Sequence, residues 1–365
     1  MIVTVTLNPS LDRTIELSDR LLRGQVQRAA RTTQQPGGKG VNVSRALHAA
    51  GVETLAILPG SLEDPMIVAL HADGIPAASV AVPGAVRANT TITEPDGTTT
   101  KLNEPGEPLS AEATDALLTL IVTHSRAASW LVLAGSLPPG VPTDFYARIV
   151  RAVRRDAGER DRATDARRAA DGRLRIAVDT SGAPLAALVA SGEPVDLIKP
   201  NAEELLELVR TLPDGAVPAG AAFETEPGSP TGPGVVADPE HLAAGDDRIE
   251  QLAASVLSES LGAVLVTLGA NGAELVTRHA VHSADAPRIE ARSTVGAGDC
   301  SLAGYLLAAD AGRDDAGRLA QAIAYGAAAA ALPGSTVPTP AEAPADAIAV
   351  STRSRRTLSR PVAVG

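Results

Sequence analysis

Short runs of β-branched and Leu-rich residues alternate with amphipathic stretches along most of the chain, and this alternation limits the fold more than any other feature. The runs are Ile2 to Leu7, Thr54 to Leu58, Trp130 to Leu133, Arg175 to Val178, Asp196 to Ile198 and Ala263 to Thr267. Between them, Val41 to Ala50, Ala111 to Ser125, Phe145 to Arg154 and Ser301 to Ala309 carry helix-compatible spacing. Strands of this kind separated by helix-length segments form βαβ units around a mainly parallel sheet. The expectation is a three-layer α/β/α domain, and 365 residues suffice for it to bury a substantial core.

One segment departs from the pattern. Arg87 to Leu102 reads as two polar, Thr-rich strands around Pro95-Asp96-Gly97, a hairpin turn signal. With the polar stretch 12–35 it is expected to form a small β-sheet standing over the mouth of the main domain as a lid. Arg154 to Arg173, dense in Arg, Asp and Ala, could prolong a helix. Thr211 to Asp247 is rich in Pro, Gly and Ala with little apolar periodicity, and reads as a flexible, dispensable insertion. Ser351 to Gly365 reads as a frayed tail. All of 1–365 is therefore expected to be one domain with a lid and an insertion.

Composition narrows the ligands. Aromatic residues make up 2% of the chain, too few for a base-stacking surface, and the net charge of −11 lacks the basic excess that nucleic acid or anionic lipid attracts. An anionic ligand must then be held by a local cluster. Cys300 is the only cysteine, so no intrachain disulfide can form, which fits a reducing compartment. Met1 to Leu7 lacks the basic flank and long apolar run of a signal peptide, and no stretch reaches membrane-spanning length. The chain reads as cytoplasmic, with no nucleic-acid or membrane partner.

Four stretches carry chemistry. In Ser293 to Asp299, Gly296-Ala297-Gly298 precede an apolar helix pattern, so backbone N–H groups and the helix dipole can converge on an anion. Asp299 in the first turn could accept a proton from an attacking hydroxyl, but Asp also suits a plain helix N-cap, and the residues alone leave both readings open. In Pro36-Gly37-Gly38-Lys39-Gly40-Val41-Asn42, bare backbone can approach a ligand, Lys39 can meet a phosphate as a point charge, and Asn42 lies one turn into the helix. This is neither a Walker A loop nor a dinucleotide turn; the bland reading is a Gly-rich loop with a solvated Lys. Lys199-Pro200-Asn201-Ala202-Glu203-Glu204 follows a strand, where ligands gather in open α/β sheets. Asn201 and Glu204 at i, i+3 could hold a hydrated magnesium, though a Pro-initiated acidic first turn is the simpler reading of these residues by themselves. Thr267 to Gly272 puts Gly269 and Gly272 three apart at a strand end, by itself an ordinary tight turn.

Taken together, the chain resembles the ribokinase-like (PfkB) carbohydrate kinases along nearly its whole length apart from 211–247. The resemblance rests on Thr6 to Asp12, Gly37 to Val43, Leu102 to Gly106, Gly135 to Gly140, Lys199 to Asn201 and Gly296 to Asp299, in that order. It is strongest to the 1-phosphofructokinase and tagatose-6-phosphate kinase branch. The resemblance implies that Asp299 is the general base, that Gly296, Ala297 and Gly298 form the anion hole, and that Asn201 and Glu204 organise Mg2+. Lys199, Thr267, Gly269, Gly272 and Ser293 match nucleotide-contacting positions. Asp12, Gly37, Gly38, Lys39 and Asn42 match the sugar side, and Arg87, Asn89 and Ser136 match the hold on the substrate phosphate. Ala134 stands where many relatives have Ser or Gly, and Cys300 where Ser or Thr is frequent. Leu332-Pro333-Gly334-Ser335 replaces an Asn-containing stretch that in some relatives closes the adenine pocket and a monovalent-cation site, so no monovalent cation is assigned.

The implied reaction is transfer of the γ-phosphoryl group of ATP to a ketohexose phosphate, first of all fructose 1-phosphate at C6. Tagatose 6-phosphate and fructose 6-phosphate are the alternatives within the class. A catalytically silent sugar-phosphate sensor has no need of Asp299, and a nicotinamide-dependent dehydrogenase would need a glycine-rich turn after the first strand, which the chain lacks. The lid strands could serve as a homodimer surface.

Overall fold

The computed structural model describes residues 1–163, 173–212 and 242–355. Its first half contains β1 (Ile2–Val5), β2 (Ser10–Leu17), β3 (Ala29–Gly37), α1 (Lys39–Ala49), β4 (Thr54–Pro59), α2 (Pro65–Ala72), β5 (Ala77–Val80), β6 (Arg87–Thr93), β7 (Thr99–Asn103), α3 (Ala111–Ser125), β8 (Trp130–Ala134) and α4 (Phe145–Ala163). The second half continues with β9 (Arg175–Asp179), α5 (Gly182–Ser191), β10 (Leu197–Ile198), α6 (Ala202–Thr211), α7 (Asp247–Val256) and β11 (Ala263–Thr267). It closes with β12 (Ala273–Thr277), β13 (Ala280–Ala284), α8 (Ala297–Asp310), α9 (Asp315–Ala330) and β14 (Ser351–Ser354).

The large sheet runs in the order β14-β13-β12-β11-β10-β9-β8-β1-β4-β5, parallel from β5 to β11 and antiparallel beyond. All six expected strands lie in its parallel part. Their apolar runs are continuous because both faces are covered. In β8, Leu131 and Leu133 pack with α3 and α4, whereas Trp130, Val132 and Ala134 pack with α1, α8 and α9 on the opposite face. That alternation makes the three layers.

The expected small sheet is present, in the order β3-β2-β6-β7. Asp96-Gly97 turns β6 into β7 as an antiparallel hairpin, and β2 pairs with β6 in parallel, which sets Asp12 opposite Asn89. No helix among the described residues is long and apolar enough to cross a membrane.

Two expectations need correction, and a third holds in part. The tail begins later than Ser351, because Ser351–Ser354 is β14 and closes the sheet edge against β13. Both ends of the stretch Thr211 to Asp247, expected to be an insertion, belong to the folded domain. Leu212 and Leu242 are buried in the core, Asn271 holds the carbonyl of Leu242, and Asp246 caps α7. What remains of that expectation, 213–241, lies outside the described residues, as do 164–172 and 356–365. Finally, α4 does run past Arg154, as far as Ala163.

Candidate active site

The parallel strands deliver loops to one edge, and two helices begin there. Both α1 and α8 start at a glycine in the left-handed region, Gly38 (φ 105°) and Gly296 (φ 77°), with no side-chain cap. By contrast α3 and α9 are capped by Ser110 and Asp314. Gly296 occupies the cap position of α8, so Asp299 is not the cap; it stands three residues beyond it, in the first turn. The residue is 8% exposed, and its carboxylate accepts a 2.8 Å hydrogen bond from Asn42 Nδ2. The oxygen of that amide, Asn42 Oδ1, is buried without a partner among the described residues and can accept a hydrogen bond. Ala297, Gly298 and Asp299 begin the helix, where backbone N–H groups lack intrahelical acceptors and the dipole favours negative charge.

Around Asp299 lie two lysines. Lys39 opens α1, and its Nζ is 2.7 Å from Asp179 Oδ1 and 3.8 Å from Glu204 Oε1. Lys199 follows β10; its Nζ is 3.0 Å from Asp179 Oδ2 and lies against Gly298. Sequence reasoning missed Asp179, which is fully buried at the end of β9. The available signal was its place at the carboxyl end of a parallel strand.

These charges set one another. Burial works against the Lys39 ammonium, but Asp179 and Glu204 outweigh it and hold its pKa above the ordinary value. Burial likewise opposes the Asp179 carboxylate, and the ammonium groups of Lys199 and Lys39 hold its pKa below the usual range. Asp299 goes the other way. Burial first, then the charge of Asp179, push it up to about 7 against Lys39, the Asn42 bond and Lys199. A carboxyl near neutrality suits proton transfer at physiological pH.

Asn201 and Glu204 are brought to the same edge, as a reciprocal capping box. Asn201 Oδ1 accepts the Glu204 N–H at 2.8 Å, and Glu204 Oε2 accepts the Asn201 N–H at 2.9 Å. The i, i+3 spacing therefore serves the helix start, while Glu204 Oε1 faces Lys39. No cluster of three or more acidic, His or Cys side chains among the described residues could cage a metal. Glu204 Oε1 is the one carboxylate oxygen outside the capping box, and a single such oxygen suits a magnesium ion that keeps most of its waters.

A second group gathers where the small sheet meets the main domain. Ser10 Oγ and Asn89 Nδ2 donate to Asp12 Oδ1 at 2.8 and 3.2 Å. A Cβ at Gly37 would run into that carboxylate. Arg87 donates to the carbonyls of Glu104 and Asn8 at 2.8 and 3.1 Å, and the Asn8 amide donates to Ser136 Oγ at 3.2 Å. Asn8 thus brings Arg87 and Ser136 together.

Thr267 pairs in parallel with Asn201, so the end of β11 lies beside the capping box. Ser293 shapes the turn before α8: its Oγ accepts the Val295 N–H at 3.3 Å. Gly269 (φ 58°) and Gly272 (φ 94°) bound a short turn, and no hydrogen bond joins them to the charged cluster among the described residues. A Cβ at Gly272 would collide with the carbonyl of Ala284. Gly272→Ala is therefore expected to lower stability by about 2–4 kcal/mol, from positive-φ strain and overpacking, measured by urea denaturation. A loss below about 0.5 kcal/mol would show that the turn tolerates a side chain.

Comparison with known proteins assigns the chain to a family. The family model described as pfkB family carbohydrate kinase matches residues 5–228 and 235–342. A 1-phosphofructokinase of Haloferax volcanii is 32% identical over 340 residues, 93% of this chain and 93% of that protein. An ATP-dependent 6-phosphofructokinase isozyme 2 of Mycobacterium tuberculosis is 31% identical over 307 residues, 83% of this chain and 76% of that protein. Among solved structures, phosphofructokinase-2 from Escherichia coli in complex with potassium has a TM-score of 0.75 at 24% identity, covering 94% of this chain and 96% of that one. With matched segments spanning both sheets and the whole charged edge, the chain belongs to the pfkB family of carbohydrate kinases.

Proposed function

We propose that this protein transfers the γ-phosphoryl group of ATP to the C6 hydroxyl of fructose 1-phosphate, giving fructose 1,6-bisphosphate. The observation that carries the reading is Asp299, buried behind the uncapped glycine start of α8, held by Asn42 and titrating near neutrality beside two ammonium groups. Family membership and the relative named 1-phosphofructokinase support the substrate class.

In this reading the C6 oxygen attacks the γ-phosphorus as its proton passes to Asp299, and the bond from that phosphorus to the β,γ-bridging oxygen breaks as ADP leaves. The N–H groups at the start of α8 and the nearby lysines hold the charge on the moving phosphoryl group. Magnesium bound with the nucleotide would neutralise phosphate oxygens, with Glu204 as its protein partner and Asn201 holding that helix start through the capping box. Arg87 and Ser136 hold the phosphate already on the sugar, and Asp12 and Asn42 take its hydroxyls. The small sheet closes as a lid and excludes water, which would otherwise compete as acceptor.

A panel of fructose 1-phosphate, fructose 6-phosphate, tagatose 6-phosphate and unphosphorylated sugars, compared by kcat/KM with ATP and Mg2+, tests the reading. Fructose 1-phosphate is expected to lead. Preference for fructose 6-phosphate would move the enzyme to the other activity named among its relatives. Turnover of unphosphorylated sugars alone would reject the roles given to Arg87 and Ser136.

A further inference from the structure

Three charges meet in a place where a stable core needs none. Asp179 is fully buried, and the fold fixes it tightly: its carbonyl accepts the Gly135 N–H at 2.9 Å, and Lys199 N–H bonds Val178 on the same strand at 3.0 Å. The Tyr146 and Thr180 hydroxyls both donate to the Gly135 carbonyl, at 2.8 and 2.9 Å, which pins the adjoining backbone. Each oxygen of its carboxylate meets a different lysine, Lys39 from the start of α1 and Lys199 from the end of β10. A buried ion cluster is weak evidence for stability, because well-packed apolar side chains would serve as well. Its position beside Asp299 gives it another use.

We propose that Asp179 is a positioning residue for phosphoryl transfer: it holds the Lys39 and Lys199 ammonium groups beside Asp299 and offsets one of their two positive charges, so that Asp299 remains basic enough to take the hydroxyl proton. The inference rests on the kinase reading above. Without Asp179 the two ammonium groups would repel each other, and Lys39 would turn to Glu204, already 3.8 Å away. The groups that face Asp299 are Asp179 from β9, Lys39 and Asn42 from α1, Lys199 after β10 and Cys300 beside it on α8, with Glu204 of α6 acting through Lys39. Cys300 stays neutral, since burial pushes its thiol up to about 12. Asp179 is then the near negative charge that raises Asp299, and its loss lets both lysines lower it.

The test compares wild type with Asp179→Asn and Asp179→Glu. In wild type, kcat/KM should rise with pH to a plateau, with an apparent pKa near 7. In Asp179→Asn, kcat is expected to fall roughly 10- to 100-fold, and the acidic limb to move down by about 1 unit. Asp179→Glu keeps the charge but displaces the lysines: kcat falls about fivefold or more while the limb stays in place. A lower Tm in Asp179→Asn with an unmoved limb would make the residue structural only and overturn the proposal. An unmoved limb with altered Mg2+ dependence would overturn it too, assigning Asp179 to the metal. If Asp179→Asn does not fold, Asp179→Glu decides, and wild-type kcat there rejects the positioning role. Carbon-13 NMR titration of labelled aspartate, with Asp299→Asn for assignment, separates this inference from the kinase reading. Wild type that turns over no sugar phosphate sinks the reading, whereas an Asp299 midpoint unchanged by Asp179→Asn sinks the inference alone.

Discussion

Asp299→Asn should lower kcat about 10²- to 10⁴-fold, the usual contribution of a general base, while leaving substrate KM values within a few fold. The substitution is close to isosteric. An amide oxygen at position 299 can still accept the Asn42 N–H, and the start of α8 is set by Gly296 rather than by the lost carboxylate. Stability should move the opposite way. The Asp299 pKa is raised from 3.8 to about 7 in the folded protein, so the folded form binds the proton more strongly than the unfolded chain. As pH rises between these values wild type loses stability, and above about 7 the whole penalty of the buried charge remains. Asn carries no such penalty. The variant should therefore melt several degrees above wild type at pH 8, a gain on the order of 2 kcal/mol, and close to it at pH 4. Calorimetry at both pH values beside steady-state kinetics checks the pair of effects. Lost activity with a lowered Tm at pH 8 would mean that the residue holds the structure rather than the reaction.

The strands that were legible in the sequence are those buried on both faces. Val3 and Val5 pack against one helical layer and Ile2 against the other, so the whole run had to be apolar. The edge strand β14, Ser-Thr-Arg-Ser, was illegible for the same reason: among the described residues it pairs with β13 alone, and hydrophobicity is not required there. In the small sheet, Pro95-Asp96-Gly97 announced the β6–β7 hairpin, but nothing local marks the parallel pairing of β2 with β6 that unites Asp12 and Asn89. The site divides in a similar way. Glycine-led helix starts are local, so Gly38, Lys39, Gly296 and Asp299 could be found by inspection. Asp179 could be placed at the end of an expected strand, but not its role, which depends on Lys39 and Lys199, 140 and 20 residues away, reaching one carboxylate. Asn201 and Glu204 show the remaining limit: the spacing that lets two oxygens face a metal is also that of a capping box, and only coordinates reveal where each oxygen is engaged.

The two lysines on Asp179 should respond differently to the same substitution, and that difference separates a cation that works on substrate from one that supports the site. The Lys39 side chain is 34% exposed and that of Lys199 only 5%. Lys39→Met keeps the apolar stem, lets water reach the freed Asp179 oxygen, and leaves Lys199 in place. Stability should change by about 1 kcal/mol or less, whereas kcat/KM should fall roughly 10²- to 10³-fold, as expected when one fixed charge on a transferring group is lost. Lys39→Arg should recover only part of it, because a planar guanidinium does not fit the compact contacts of an ammonium with Asp179 and Glu204. Lys199→Met instead deprives a fully buried carboxylate of its dry partner, so folding should lose about 3–5 kcal/mol even at pH 7. Urea denaturation and kcat/KM for all three variants provide the comparison. Lys39→Met with near-wild-type kcat/KM would remove Lys39 from phosphoryl transfer, and Lys199→Met with wild-type stability would mean that Asp179 relies on Lys39 alone.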